Sequence, residues 1–299
     1  MSWEDTFQTW GSPPSKTEWE KMENTEAAIK KAIHNDPALS KMEKHISILA
    51  QGSYNGRTSV KQDSDVDICV CLNSTFFARY PKGKTRENYG NIEGDITFKD
   101  FKDLVEKALK NYFGSDQVTR GNKAFDVHSN TYRVDADVLA AFAYRHYTGD
   151  GEEDYIKPVG IGFLTDENVR INNWPKQAYE NGVAKQDMTG ERFKKMVRIV
   201  KRLRNKMQDE NISAALNAPS FLIESLVWNV PDDGFNHDDY YDDVRHVIAD
   251  CFNKTLSDDT CNDLREVNNI KYLFHVAQPW TREQAHNFFN ATWDYIGFK

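Results

Sequence analysis

Residues 46–72 read ISILAQGSYNGRTSVKQDSDVDICVCL, and the fold is decided there. Ile46, Ile48, Leu49 and Ala50 predict an apolar strand that stops at Gly52-Ser53. A polar loop follows, and a second strand opens with Asp65-Val66-Asp67. Side chains alternate along a strand, so Asp65, Asp67, Cys69 and Cys71 share one face and Val66, Ile68, Val70 and Leu72 the other. The even-numbered set is branched and apolar and suits a core. The odd-numbered set opens with two carboxylates that no core accepts unpaired. Like charges held that close repel, and a divalent cation beside them is the usual physical remedy. The plainer alternative is a strand end carrying two solvated acids.

At 299 residues the chain can bury a sizeable core and form two lobes. A charged fraction of 28% with no low-complexity tract is that of a soluble globular protein. The formal charge of −8 argues against a broad platform for duplex nucleic acid, which needs a basic face. No apolar run is long enough for a membrane span, and MSWEDTFQTW lacks a secretion pattern, so a cytoplasmic protein is expected. Cys69, Cys71, Cys251 and Cys261 form no Cys/His cluster; they read as reduced structural thiols.

Outward from the central stretch, Ser15 and Glu18 match a capping box for a first helix whose stripe is Trp19, Met22, Ile29 and Ile33. After residue 78, RYPKGKTRENYGNIEGD reads as a loop or a poorly ordered excursion. Phe98, Phe101, Leu104, Val105, Ala108, Leu109 and Phe113 have helical spacing and end at Gly114. Strands are expected over 124–127 and 132–139, joined by His128-Ser129-Asn130, and over 159–164 and 169–171, joined by Asp166-Glu167-Asn168. From about Asp187 the period becomes helical, with Phe193, Met196, Val197, Val200, Leu203 and Met207 on one face. Further helices are expected over 220–229, 239–254 and 258–266, and from a Thr281/Gln284 capping box onward. Residues 1–186 thus form a mixed α/β core with an N-terminal helix, and residues 187–299 an all-helical lobe.

RVDADVLAAF again sets acids two apart, with Asp135 and Asp137 on one face. If that strand lies beside Asp65 and Asp67, three carboxylates converge and can hold two Mg²⁺ ions, with Mn²⁺ as a substitute. In that arrangement one ion activates an attacking hydroxyl, the other steadies a leaving pyrophosphate, and the third acid takes the proton. Asp135 and Asp137 capping a hairpin is the competing reading. Gly52 permits close backbone approach and the Ser53 hydroxyl can donate to a terminal phosphate. Arg192, Lys194, Lys195, Arg198, Lys201, Arg202, Arg204 and Lys206 crowd one helix. Most are expected on a solvated face, with one or two free to hold a triphosphate. Ser220 opens the next helix as another anion site, and Phe221 could stack on a base or simply be buried.

GSYNGRTSVKQDSDVDI resembles the GS…T…SDVDI motif of the DNA polymerase β-like nucleotidyltransferases. It is most similar to the bacterial CD-NTases, the cyclic GMP-AMP synthase-like enzymes of anti-phage (CBASS) signalling. DVLAAF at 137–142 resembles that family's DVVPAF, which favours Asp137 over Asp135. RINNWPKQAYENGVAKQD, RFKKMVRIVKRLRNKM and APSFLIESLVWNVP resemble family segments in order, so the likeness spans roughly 15–235. The resemblance implies a mixed sheet flanked by helices, a helical C-terminal lobe and an active site in the cleft between them. It assigns Ser53, Lys201 and Ser220 to the triphosphate and Asp65, Asp67 and Asp137 to the metals. Arg57 stands where glycine is usual, Asp63 precedes Ser64 where glycine is common, and Ala140 replaces a proline. None of these removes a metal ligand.

The implied activity joins NTPs, ATP and GTP among them, into a cyclic di- or trinucleotide with release of pyrophosphate. The implied partners are an effector switched on by the product and accessory or conjugating proteins; a monomer with no direct duplex nucleic acid is expected. The rival is a linear or acceptor-directed nucleotidyltransferase using the same pocket. A silent nucleotide-sensing module is opposed by the intact acids.

Overall fold

The computed structural model describes residues 2–60 and 65–299. Asp63, one of the positions that depart from the family pattern, and Ser64 of the SDVDI motif lie outside the described residues. The described residues form two compact units. A sheet unit takes 15–55 and 65–176, and a helical unit takes 2–14, 56–60 and 177–299.

The helical unit begins with α1 (Trp3–Trp10), which the sequence reading did not anticipate. Trp3, Phe7 and Trp10 lie at i, i+4 and i+7, and Phe7 is fully buried in the helical core. The sheet unit then opens with α2 (Lys16–His34), where Ser15 accepts from the Glu18 N–H and the Glu18 carboxylate takes the Ser15 N–H. β1 (Ile46–Gln51) leads into α3 (Gly52–Gly56), a single turn where a polar loop was expected. β2 (Val66–Arg79), α4 (Phe98–Phe113), β3 (Val118–Arg120), β4 (Phe125–Val127), β5 (Ala136–His146), β6 (Gly160–Leu164) and β7 (Arg170–Asn173) complete the unit.

The strand order is β1-β2-β5-β4-β3, with β6 on the far half of β5 and β7 on β6. β2 and β5 are parallel, and the other pairs are antiparallel. The alternation expected from Asp65 onward holds: Val66, Ile68, Val70 and Leu72 join Ala136, Val138, Ala140 and Phe142 in a core covered by α2 and α4. The opposite face is also closed beyond Asp67. There Cys69 and Cys71 pack with Ala141 and Ile161, and all four cysteines are free and buried. β2 and β5 run on past Leu72 and Leu139 because the register slips between Leu72 and Phe76 and the pairing then resumes.

The Gly-rich stretch after β2 is a packed loop. Tyr89 stacks on Tyr80 and sits against Tyr147 at 5.2 and 4.3 Å, and its hydroxyl donates to Gly149 O at 2.6 Å. At the other end of the sheet, Arg120 forks onto Asp166 at 2.9 Å twice and also reaches Asp103 and Glu106. Lys102, almost wholly buried, donates to the same Asp166 carboxylate at 2.8 Å.

α5 (Pro175–Met188), α6 (Phe193–Asp209), α7 (Ser220–Trp228), α8 (Tyr240–Lys254), α9 (Asp258–Cys261) and α10 (Arg282–Ile296) make the rest of the helical unit. Their core centres on Phe193, Met196, Val200, Leu203, Leu222, Leu226, Val247, Phe288 and Phe289. By compactness the chain divides at 176/177 rather than 186/187. α5 belongs with the helices because Asn181 donates to Val267 O at 2.8 Å and Lys185 reaches Val230 O and Asp232.

α6 departs from the solvated basic face expected of it. Arg198, Lys201 and Arg204 are buried, and of the eight basic residues from Arg192 to Lys206 only Lys206 is exposed. The guanidinium groups are tolerated inside because carbonyls meet them: Gly11 O and Arg57 O for Arg198, Ala218 O for Arg204. Burial first, and then the nearby Arg202, still pull the Arg198 pKa down to about 10.

Candidate active site

The acids of the sheet unit are assembled by strand register. Asp67 on β2 stands opposite Asp137 on the parallel neighbour β5, and Asp126 on β4 stands opposite Asp137 from the other side. Gln51 on β1 faces Asp67. Directly paired residues share a face, so one row crosses four strands as Gln51, Asp67, Asp137 and Asp126. Adjacent strands are about 4.8 Å apart, close enough for neighbouring carboxylates to feel one another strongly. Asp65 precedes β2 by one residue and is exposed. Asp137 records the crowding. Its pKa is pushed up to about 7, first by burial and then by the charge of Asp67, with Asp126 and Asp65 adding to it.

Asp135, the rival to Asp137, has a different use. Its carboxylate accepts the Ser129 N–H at 2.7 Å and its carbonyl accepts the Val66 N–H at 3.1 Å, so it ties the β4–β5 loop to the start of β2. The hairpin-capping alternative therefore describes Asp135, while Asp137 stands in the acid row.

Gly52 sits against the row. Its φ is +60°, and a Cβ placed there would lie 2.0 Å from Asp67 Oδ2. Only glycine combines that backbone with that approach. The chain must pass too close to the Asp67 carboxylate for any side chain as it brings Ser53 into the first turn of α3.

An oxygen donor set of crowded carboxylates is the chemistry a hard divalent cation requires. Among the described residues, no three acidic, histidine or cysteine side chains close into a ready-made cage.

The expected phosphate contacts of the helical unit are placed as follows. Lys201 is 1% exposed, and its ammonium donates to Thr58 O, Thr58 Oγ1 and Glu224 Oε2, each at 3.3 Å. Ser220, the first residue of α7, takes a hydrogen bond from Arg204 at 2.9 Å. Phe221 is 38% exposed, with its ring 6.2 Å from that of Trp280. Lys194 is half-buried beside Arg57, and desolvation lowers its pKa.

Sequence reasoning missed Asp126 and Glu224, and gave Thr58 no role beyond its place in the motif. Asp126 carries a local signal, an acid between two buried apolar residues in Phe125-Asp126-Val127, but its place in the row depends on the β4–β5 register. Glu224 carries none, since its meaning comes from Thr58, 166 residues away.

A mixed sheet whose central parallel pair opens in acids beside a glycine–serine turn, followed by a helical domain, defines a polymerase β-like nucleotidyltransferase. Residues 180–297 match the cGAS/DncV-like nucleotidyltransferase C-terminal helical domain. The chain is 43% identical over 298 residues to the cyclic dipyrimidine nucleotide synthase CdnE of Legionella pneumophila, covering 99% of this chain and 98% of that one. It superposes on the Rhodothermus marinus CdnE c-UMP-AMP synthase, solved with Apcpp and Upnpp, with a TM-score of 0.84 at 30% identity over 99% of this chain and 97% of that one. With the Elizabethkingia meningoseptica CdnE cyclic dinucleotide synthase, solved with GTP and Apcpp, the TM-score is 0.80 at 31% identity, covering 99% of each chain. The chain belongs to the CD-NTase family and is a nucleotidyltransferase.

Proposed function

We propose that the protein is a Mg²⁺-dependent synthase of a cyclic di- or trinucleotide, joining NTPs with release of pyrophosphate. The observation that carries this is the register row of Asp67, Asp137 and Asp126 beside the Gly52-Ser53 turn. Asp65, Asp67 and Asp137 would hold the metal, with Mn²⁺ as a substitute. When bound, the ion supplies a lowered pKa for the attacking hydroxyl and a counter-charge for the leaving pyrophosphate. Asp137, flanked on both sides by acids, is the group placed to take the hydroxyl proton. Ser53 would donate to the terminal phosphate. Lys201 and Ser220 are the proposed triphosphate contacts of the helical unit, where a phosphate oxygen would exchange with Glu224, Thr58 or Arg204.

In this reading the enzyme is cytoplasmic and monomeric. Its product activates a separate effector in anti-phage signalling, with accessory or conjugating proteins as further partners. Among the described residues no helix is long and apolar enough to cross a membrane. Two relatives are named cyclic dipyrimidine nucleotide synthases, at 43% and 37% identity, so UTP and CTP belong in the first assay beside ATP and GTP. Incubation of the purified protein with the four NTPs and Mg²⁺ is expected to yield a phosphatase-resistant small product, identified by mass, that Asp67→Asn does not make. Label appearing only in linear or acceptor-bound material would instead support acceptor-directed transfer.

A further inference from the structure

The turn that carries Ser53 is anchored at both of its ends, and the second anchor lies outside the acid row. At its start, Gly52 passes against Asp67. At its finish, the chain joins the helical unit at Gly56, where a Cβ would already stand 3.4 Å from Glu224 Oε1. Arg57 follows in the left-handed region at φ 55°, a conformation costly for any residue with a Cβ. Two successive turns of α6 grip this point. Arg198 donates to Arg57 O at 2.6 Å while forking onto Gly11 O at 2.8 and 2.6 Å. Lys201 donates to both oxygens of Thr58. The Thr58 hydroxyl in turn donates to Glu224 Oε2 at 2.9 Å, and the same oxygen receives Lys201. Thr58 and Ser59 are fully buried.

We propose that Glu224 is a positioning residue for nucleotidyl transfer. Acting through Thr58 and Lys201, it fixes the main chain at Thr58, five residues after the phosphate turn's Ser53. The inference rests on the functional reading above and adds a residue that neither the acid row nor the phosphate contacts include. The triangle of Thr58, Lys201 and Glu224 uses each group in a way that its neighbours cannot replace. Thr58 donates its hydroxyl proton to the carboxylate and accepts from the ammonium with the same oxygen. Glu224 is the acidic group that meets both, so it neutralises a nearly buried lysine and orients the threonine at once. A carboxylate that served only to neutralise Lys201 would gain nothing from contact with the main-chain segment. Here it touches the one segment that leads back to Ser53 in five residues.

The test uses the full chain with Thr58→Val, Thr58→Ser and Glu224→Gln. Thr58→Val keeps the volume and removes the hydroxyl. Glu224→Gln keeps an acceptor for Thr58 and removes the charge that meets Lys201. Amide hydrogen exchange is read on peptides within 52–60, and steady-state kinetics are run well below each melting midpoint. The expected result is exchange at least about tenfold faster at 52–60 in Thr58→Val and Glu224→Gln, since opening is local. With it goes a loss of kcat on the order of 100-fold, the scale of an ångström's misplacement. Thr58→Ser should restore both. Parental exchange at 52–60 in both impaired variants, or parental kcat in either, would overturn the proposal. A parent that forms no product sinks the functional reading instead, and the exchange measurement then decides this inference alone.

Discussion

The acid row of the sheet unit and helix α6 of the helical unit handle buried charge in opposite ways. In the sheet unit, Asp67, Asp137 and Asp126 stand in adjacent register, and burial plus neighbouring charge pushes the Asp137 carboxyl well above the ordinary range. In the helical unit, every buried cation of α6 meets oxygen: Arg198 two carbonyls, Arg204 a carbonyl and a hydroxyl, Lys201 a carboxylate and both oxygens of Thr58. The contrast teaches what each region is for. Charges balanced within the protein hold structure, whereas the proposed reading makes the crowded acids the place where a bound cation would relieve repulsion.

The sharpest way to break the contrast is to remove one charge from each side. Asp67→Asn or Asp137→Asn is expected to lower product formation by on the order of 1,000-fold or more, with a melting midpoint no lower than the parent's. A matching fall in midpoint would show that the acids hold the fold together. Glu224→Ala, unlike the acid-row variants, should also lower stability. It leaves Lys201 buried without its carboxylate and should cost about 3–5 kcal/mol of unfolding free energy in urea titrations. A loss under about 1 kcal/mol would remove the balanced half of the comparison.

How much of this was legible before the structure depends on distance along the chain. The alternation from Asp65 to Leu72 exposes both faces of β2 because every even residue is apolar and branched. RVDADVLAAF does the same for β5, and the pairing of the two strands follows from the motif they share with the family. Asp126 was out of reach because a three-residue strand does not announce its register. α5 was missed as a helix because Lys, Gln, Asn and Glu break its apolar stripe, leaving only Gly182 and Lys185 buried. The interior position of Lys201 could not be read at all. Its partner Thr58 is 143 residues away, and a basic run looks the same in sequence whether water or carbonyls meet it.

A smaller effect sharpens the balanced side. Arg120 and then Lys102 hold the Asp166 carboxyl far below the usual range. In Glu106, Lys110 and Arg120 outweigh burial and also lower the pKa. A carboxyl depressed in the folded state adds stability above its unfolded pKa of about 4, and that stability is lost as the pH falls. The urea midpoint should therefore drop between about pH 5 and pH 2, and Arg120→Met should flatten that drop while leaving the slope above pH 6 unchanged. An equally steep decline in the variant would contradict the assignment. The smallest effect concerns Arg57. Its φ of 55° makes Arg57→Gly a change that relieves strain and keeps the carbonyl bonded to Arg198, so the melting midpoint should rise by about 2 °C. A fall would mean that the arginine side chain contributes more than its backbone costs.

The central claim is that the acid row is a cation site serving nucleotide transfer, and thermal melting tests it most directly. The parent and Asp137→Asn are melted alone and with Mg²⁺ plus a non-hydrolysable NTP. The account predicts that the variant alone melts no lower than the parent, and that only the parent gains several degrees when metal and nucleotide are added. Equal gains in both proteins would contradict it.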